Sequence, residues 1–412
     1  MAQLVNSNRS GLQASRKLFS LLLVLAIALL SFLTTACAPS QARTAEQRTF
    51  LDLSLDFLGE YQLPKMKFKD TPVGGLSALT YDRQRNKFYA LSDDRSQFAP
   101  ARFYTLGLSV KRSDTGEIGL DKVNVEDVTF ITDENGQTFA NGSLDPEGIA
   151  LSPKGTIFIA SEGVPSKGIA PFIREFDLKT GQQQQSLQIP ERYLPNDNTK
   201  EDKQEKLPRG VQENLGFEPL TLEPVSLAAG AGDPFRLFTA TESALLQDKL
   251  PPDSEEQTRI RMMQYLIGNI ARPMVVTEHV YLLDPKPSGA RDHGLTELVT
   301  VDTGGHFLSL ERSYGLLGIG AKIFQVATGG ASDSSGIVTV KGDISRINPV
   351  KKKLVLDLST LDIDLDNLEG MTLGPRLPDG SQSLLLVSDD NFTDEQMTQF
   401  LLFRLKRLHT PK

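Results

Sequence analysis

The stretch DNLEGMTLGPRLPDGSQSLLLVSDDNF, residues 366–392, holds two apolar runs joined by a turn. The first run is Leu368-Glu369-Gly370-Met371-Thr372-Leu373. Pro378-Asp379-Gly380 then joins a residue that presets φ to two that tolerate a chain reversal. Leu384-Leu385-Leu386-Val387 follows and ends in Ser388-Asp389-Asp390. Short apolar runs bounded by such turns read as paired β-strands.

The same unit recurs toward the N-terminus. Gly74-Gly75-Leu76-Ser77-Ala78-Leu79 precedes Lys87–Asp94. Pro146-Glu147-Gly148-Ile149-Ala150-Leu151 precedes Ile157–Gly163, and Phe217-Glu218-Pro219-Leu220-Thr221-Leu222 precedes Leu237–Glu242. A degenerate copy runs from Gly294 to Leu298 and from Phe307 to Arg312. Five copies at intervals of roughly 70 residues are a structural repeat, each too small to bury its own faces. Phe103–Val110, Ile173–Leu178, Val280–Leu283 and Leu354–Leu358 supply outer strands. The pattern predicts an all-β fold, a β-propeller of four-stranded blades. Five clear copies and room for a weakly marked one predict six blades, with seven as the alternative. One helical insertion is expected around Ser254 to Ile270, where Ile260, Met263, Leu266 and Ile267 fall at three- and four-residue spacings.

Alternation along a strand puts acids at equivalent places on one rim of the central channel. Glu147, Glu218 and Glu369 share one recurrent place; Asp93, Glu162, Glu242, Glu311 and Asp389 share another. Crowded carboxylates repel, and a divalent cation relieves the repulsion. An all-oxygen set suits Ca²⁺ first, then Mg²⁺ or Mn²⁺, rather than Zn²⁺. These eight acids are the expected metal ligands, the alternative being that each merely binds backbone amides of a neighbouring blade. Arg95, Arg312 and Arg376 beside the motifs are expected to clamp an anionic substrate.

Composition bounds the partners. The chain has 412 residues, 44 basic and 52 acidic, a formal charge of −8. That argues against non-specific nucleic-acid binding, which needs a basic surface. Residues 1–36 carry Arg9, Arg16 and Lys17, then an apolar run from Leu18 to Leu33, then small residues, the pattern of an export signal. Cys37, the only cysteine, follows Leu-Thr-Thr-Ala and resembles the lipidated cysteine of a bacterial lipoprotein. Ordinary cleavage and an uncleaved anchor are the alternatives. The expectation is a periplasmic or cell-envelope lipoprotein, otherwise a secreted protein. Residues 37–50 would be a flexible tether and 51–410 the propeller, monomeric and touching membrane only through its N-terminus.

The C-terminal stretch resembles the signature of the "esterase-like activity of phytase" family. Gly74–Ser77, Asp145–Gly148, Gly216–Leu220, Ala240–Leu245 and Leu310–Arg312 agree in order, so the resemblance spans roughly 55–408. It implies a propeller and hydrolytic activity on a small-molecule ester or phosphoester, without fixing the substrate. One departure is Glu218-Pro219, where Glu-Gly is expected.

No G-x-S-x-G elbow occurs, and His279, His293, His306 and His409 read as surface residues rather than bases. Metal-assisted hydrolysis fits better, with Glu147, Glu218, Glu369 and Arg312 as catalytic residues. A lactonase-like enzyme with one central metal and a non-catalytic binding propeller are the competing readings. Residues 190–212, rich in Asn, Asp, Lys, Glu and Gln, read as a mobile loop.

Overall fold

The structure is a computed structural model that describes residues 46, 49–113, 116–196, 208–223, 232–251, 254–269, 271–316 and 318–407. The expected export signal 1–36, Cys37, most of the expected tether, residues 197–207 of the 190–212 stretch, and His409 lie outside the described residues.

Strand β1 (Leu53–Leu63) comes first, then a small hairpin of β2 (Met66–Phe68) and β3 (Thr71–Val73). Blade one is β4 (Leu76–Asp82), β5 (Lys87–Ser92), β6 (Arg102–Arg112) and β7 (Ile118–Phe130). Blade two is β8 (Pro146–Leu151), β9 (Thr156–Ser161), β10 (Phe172–Asp177) and β11 (Gln183–Ser186). Blade three is β12 (Phe217–Leu222), β13 (Phe235–Thr241), β14 (Arg259–Ile267) and β15 (Met274–Leu282). Blade four is β16 (Ala290–Thr300), β17 (His306–Gly315), β18 (Gly318–Ala327) and β19 (Lys351–Asp357). Blade five takes β20 (Asn367–Arg376), β21 (Gln382–Asp389) and β22 (Thr398–Arg407), with β1 as its outermost strand.

The propeller therefore has five blades, not six or seven. The residues that left room for a sixth are used otherwise. Long outer strands such as β6 and β7 absorb some of them. The N-terminal segment pairs with β22 from Leu53↔Arg407 to Leu63↔Thr398, instead of starting a blade of its own. This pairing ties the two ends of the ring together and removes an exposed strand edge.

The helix expected over Ser254–Ile270 is instead β14. Ile260, Met262, Met263, Tyr265 and Ile267 are all buried, because β14 lies between two strands and is covered on both faces. A strand buried on both faces is apolar at every spacing, so a helical period appears in it by default. Beyond residue 50, described helical structure is limited to single 3₁₀ turns at Pro165–Lys167, Glu191–Tyr193, Leu246–Asp248 and Leu358–Thr360.

Five apolar clusters fill the five seams between neighbouring blades. Phe158 and Ile173 meet Leu220 and Leu237 between blades two and three. Phe238 and Ile260 meet Leu295 and Phe307 between three and four. Leu308 and Ile323 meet Leu384 and Phe403 between four and five. The remaining two seams are built alike around Phe88 and Phe103. Each such side chain contributes about 1.5–3 kcal/mol on burial, and with one cysteine no internal disulfide supplements them.

Starting the chain at Met66 removes β1. It is expected to abolish the cooperative thermal transition in near-ultraviolet circular dichroism. An unchanged melting curve would show that three strands suffice for blade five.

Candidate functional site

The innermost strand of every blade carries one residue that its neighbour does not pair. The register slips between Leu76 and Ala78, Pro146 and Gly148, Phe217 and Leu220, Leu295 and Glu297, and Leu368 and Gly370. A β-bulge of this kind re-aims the unpaired side chain. The five residues so placed are Ser77, Glu147, Glu218, Thr296 and Glu369. Three are the predicted acids. Ser77 and Thr296 hold the same place in their copies of the repeat, but carry no acid that marks it. Pro219 shares its bulge with Glu218, where a missing N–H costs no ladder hydrogen bond. The departure from Glu-Gly is therefore harmless. Gly148 lets blades two and three meet at the axis, since a Cβ there would overlap the Glu218 carbonyl and the Leu220 side chain.

A second ring follows from the pairing of the next strand. Leu76, Pro146, Phe217, Leu295 and Leu368 pair with Ser92, Ser161, Thr241, Glu311 and Ser388. The residues one step further are Asp93, Glu162, Glu242, Arg312 and Asp389. Blade four thus offers Arg312 to the rim, and Glu311 is corrected out of it. Adjacent residues on a strand face opposite ways. Glu311 turns to a separate cavity, accepting from Tyr281 Oη and Lys352 Nζ at 2.5 Å each and from the Asp284 amide at 2.9 Å. Burial raises its pKa, but the neighbouring His293 and Lys352 outweigh burial and hold it below the usual carboxylate range.

Asp94 and Asp390, the second acids of the acidic pairs, brace loops. Asp94 accepts from the amides of Gln97, Phe98 and Ala99, and from buried Arg102 at 2.7 Å. Asp390 accepts from the amides of Gly75 and Phe392. Arg376 lies seven residues along β20 from Glu369, roughly 20 Å away at the strand rise. It is exposed and bonds the Gly380 carbonyl, so it is corrected out of the mouth. That opposite end of the channel opens as a cavity of about 480 Å³ lined by Thr80, Thr221, Thr300 and Thr372. His279 and His306 are engaged by Ser332 and Asp302, and His293 stands by Glu311, so no described histidine faces the acids.

Seven of the eight predicted acids converge, and Asp145 joins them. Arg95 bridges Asp145 at 2.5 Å and reaches Asn214 at 2.7 Å, tying blade two to the loop after β5. Arg312 Nη2 lies 3.1 Å from Glu242 and 3.5 Å from Glu369, and Nη1 lies 3.2 Å from Asp292. The Gly216 amide donates to Glu162 at 2.6 Å. Two guanidiniums do not balance eight carboxylates. Burial first, and then neighbouring charges, pushes Asp93, Glu147, Glu162, Glu218 and Asp389 well above their ordinary values. Burial lifts Asp145 to about 6 despite Arg95, and Glu242 and Glu369 to about 7 despite Arg312.

Two groups bring ligand oxygens within 4.8 Å of one another: Asp145, Glu147 and Glu162, and Glu162, Glu218 and Glu242. Glu218 Oε2 and Asp93 Oδ1 are buried with no hydrogen-bond partner.

A family model described as "Phytase-like: Esterase-like activity of phytase" matches residues 71–392. No curated protein sequence matches the chain. Among solved structures, the catalytic domain of the Coprinopsis cinerea GH62 α-L-arabinofuranosidase is similar at 9% identity. The match covers 86% of this chain and 97% of that one, with a TM-score of 0.37. The calcium-binding protein regucalcin from Agrobacterium tumefaciens is similar at 11% identity, over 86% and 97%, with a TM-score of 0.34. Bombyx mori GH32 β-fructofuranosidase is similar at 9%, over 88% and 64%, with a TM-score of 0.36. At such identities and scores no chemistry passes to this chain.

The raised acids have a thermodynamic consequence. Each binds its proton more tightly in the folded protein than in the unfolded chain, whose carboxyls titrate near pH 4. Their stabilising contribution is therefore full only below about pH 4 and declines as pH rises, that of Glu242 and Glu369 being lost by about pH 7. Acids held low, such as Asp82 and Asp56, act only at lower pH. Chelator-treated protein is expected to melt at a higher temperature at pH 5 than at pH 8; a flat or rising trend would refute the crowding. Arg312→Gln is expected to cost roughly 3–5 kcal/mol in urea unfolding at pH 8. The cost should be much smaller at pH 5, where Glu242 and Glu369 are protonated.

Proposed function

The chain belongs to the phytase-like family described by esterase-like activity of phytase, and on that premise we propose a hydrolase of esters or phosphoesters working at the acidic mouth with a divalent cation. The observation that carries this reading is Glu218 Oε2. It is buried, without a hydrogen-bond partner, in a triad with Glu162 and Glu242. Folded proteins rarely leave such an oxygen dry and unpaired, and a cation removes the cost. The donors are all oxygens, which fits Ca²⁺ before Mg²⁺ or Mn²⁺. Glu162, Glu218 and Glu242 would hold one ion, and Asp145, Glu147 and Glu162 another. When bound, such an ion polarises the ester oxygen and lowers the pKa of adjacent water.

The remaining work falls to the chain's own groups. Glu147 and Glu369 are half-buried, and the pKa of Glu369, near 7, suits a group that takes a proton from attacking water and returns it to the leaving oxygen. Arg312 carries the only positive charge of its ring, and its Nε is buried without a partner. That N–H is left to donate to the charged oxygen of the substrate. Arg95 is spent largely on Asp145 and Asn214 and serves to set the wall. With this proposal go a small-molecule substrate, a monomer, and export with or without a lipid on Cys37, supported by the charge and the leader.

Metal-stripped protein is to be assayed on a phosphomonoester, phytate, a short acyl ester and a lactone, with and without Ca²⁺, Mg²⁺ or Mn²⁺. Cation-dependent turnover is expected. Thermal stabilisation by the cation without any turnover would replace the hydrolase with a binding propeller. Glu147→Gln, Glu218→Gln and Glu369→Gln are each expected to weaken cation binding about tenfold in calorimetry, with the fold retained. Unchanged affinity in all three would overturn the cation site.

A further inference from the structure

The loops after β5 and β21 carry more than their rim acids. In blade one, Asp94 gathers the amides of Gln97, Phe98 and Ala99, with Ser96 at φ 60°. This holds Phe98 outward, 54% exposed. In blade five, Asp390 gathers the amides of Gly75 and Phe392. Asn391 and Phe392 both adopt left-handed backbone, φ 45° and 51°. Consecutive non-glycine residues there are strained, and such strain persists only where the surroundings impose it. The two loops bring Phe98 and Phe392 into tilted contact, ring centroids 4.7 Å apart and planes 38° apart.

This aromatic pair borders the acids directly. Gly75, at φ +60°, separates the Phe392 ring edge from Asp93 Oδ1, and a Cβ at that position would overlap both. Arg102 lies beneath Phe392, 6.0 Å from its ring centroid. Phe392 is therefore packed from below and covered by Phe98, while Phe98 keeps a face open to solvent. A single exposed phenylalanine needs no explanation. One clamped by three backbone hydrogen bonds on a strained partner beside an unpaired buried carboxylate oxygen does.

We infer that Phe98 and Phe392 form a shelf that stacks an aromatic group of the substrate while its ester or phosphoester sits on the acids, so that the preferred substrates are aryl esters or aryl phosphates. This rests on the hydrolase reading above for its chemistry, but not for its binding. A densely charged polyol phosphate makes no use of such a face. Stacking on an aromatic ring favours flat apolar groups.

The test uses the cation-loaded full-length protein with two non-hydrolysable probes, phenylphosphonate and methylphosphonate, followed by calorimetry. The wild type is expected to bind phenylphosphonate about tenfold more tightly. Phe98→Ala, at a position 54% exposed, is expected to erase that difference and leave methylphosphonate affinity unchanged. Phe98→Tyr is expected to keep it. In turnover, Phe98→Ala raises KM for phenyl phosphate about tenfold with kcat within twofold. Equal affinity of the wild type for the two probes overturns the shelf, even if esters are hydrolysed. A phenyl preference that depends on Phe98 supports it, even if nothing in the substrate panel is turned over.

Discussion

In each blade the innermost strand carries one residue more than its neighbour can pair, and that surplus residue has to leave the ladder. In a propeller the free direction is the channel. Repeating the bulge five times turns Ser77, Glu147, Glu218, Thr296 and Glu369 toward one axis without any long-range device. The same slip sets the parity of the next strand, and so decides that Asp93, Glu162, Glu242, Arg312 and Asp389 complete the mouth. Both rings are properties of strand pairing first and of side-chain chemistry second.

The mouth opposes the rest of the fold. Eight carboxylates share it with Arg95 and Arg312, and burial raises their pKa values. The apolar seams between blades and the pairing of β1 with β22 hold this crowded ring closed. A site of this kind is strained electrostatically, and the cation proposed for it would relieve that strain and so couple its binding to stability. Arg312 gives the rim an asymmetry that five identical blades would lack, placing positive charge on one side of the acids.

The acidic pairs show how one short motif divides its labour. Asp93 and Asp389 face the channel, while Asp94 and Asp390 gather backbone amides of the loops that follow. The first acid faces the channel and the second fixes the wall beside it, so the aromatic residues of both loops stand at fixed places next to the carboxylates.

Local pattern alone determined the all-β class, the repeat, the outer strands and the convergence of Glu147, Glu218 and Glu369, because each depends on residues within one blade. The five-blade count was not legible, since β1 joins β22 across more than 300 residues and no local signal marks that pairing. The helical period around Ile260 was misleading because β14 is buried on both faces. Glu311 was exchanged for Arg312 because a single bulge shifts parity by one, and the degenerate copy hid the bulge at Thr296. Arg376 stands near Glu369 in the chain but at the far end of the same strand. Charge, repeat and strand content were thus set by composition and spacing. Which side chains meet, and what burial does to their protons, was decided only when pairing register and ring closure brought distant blades to one axis.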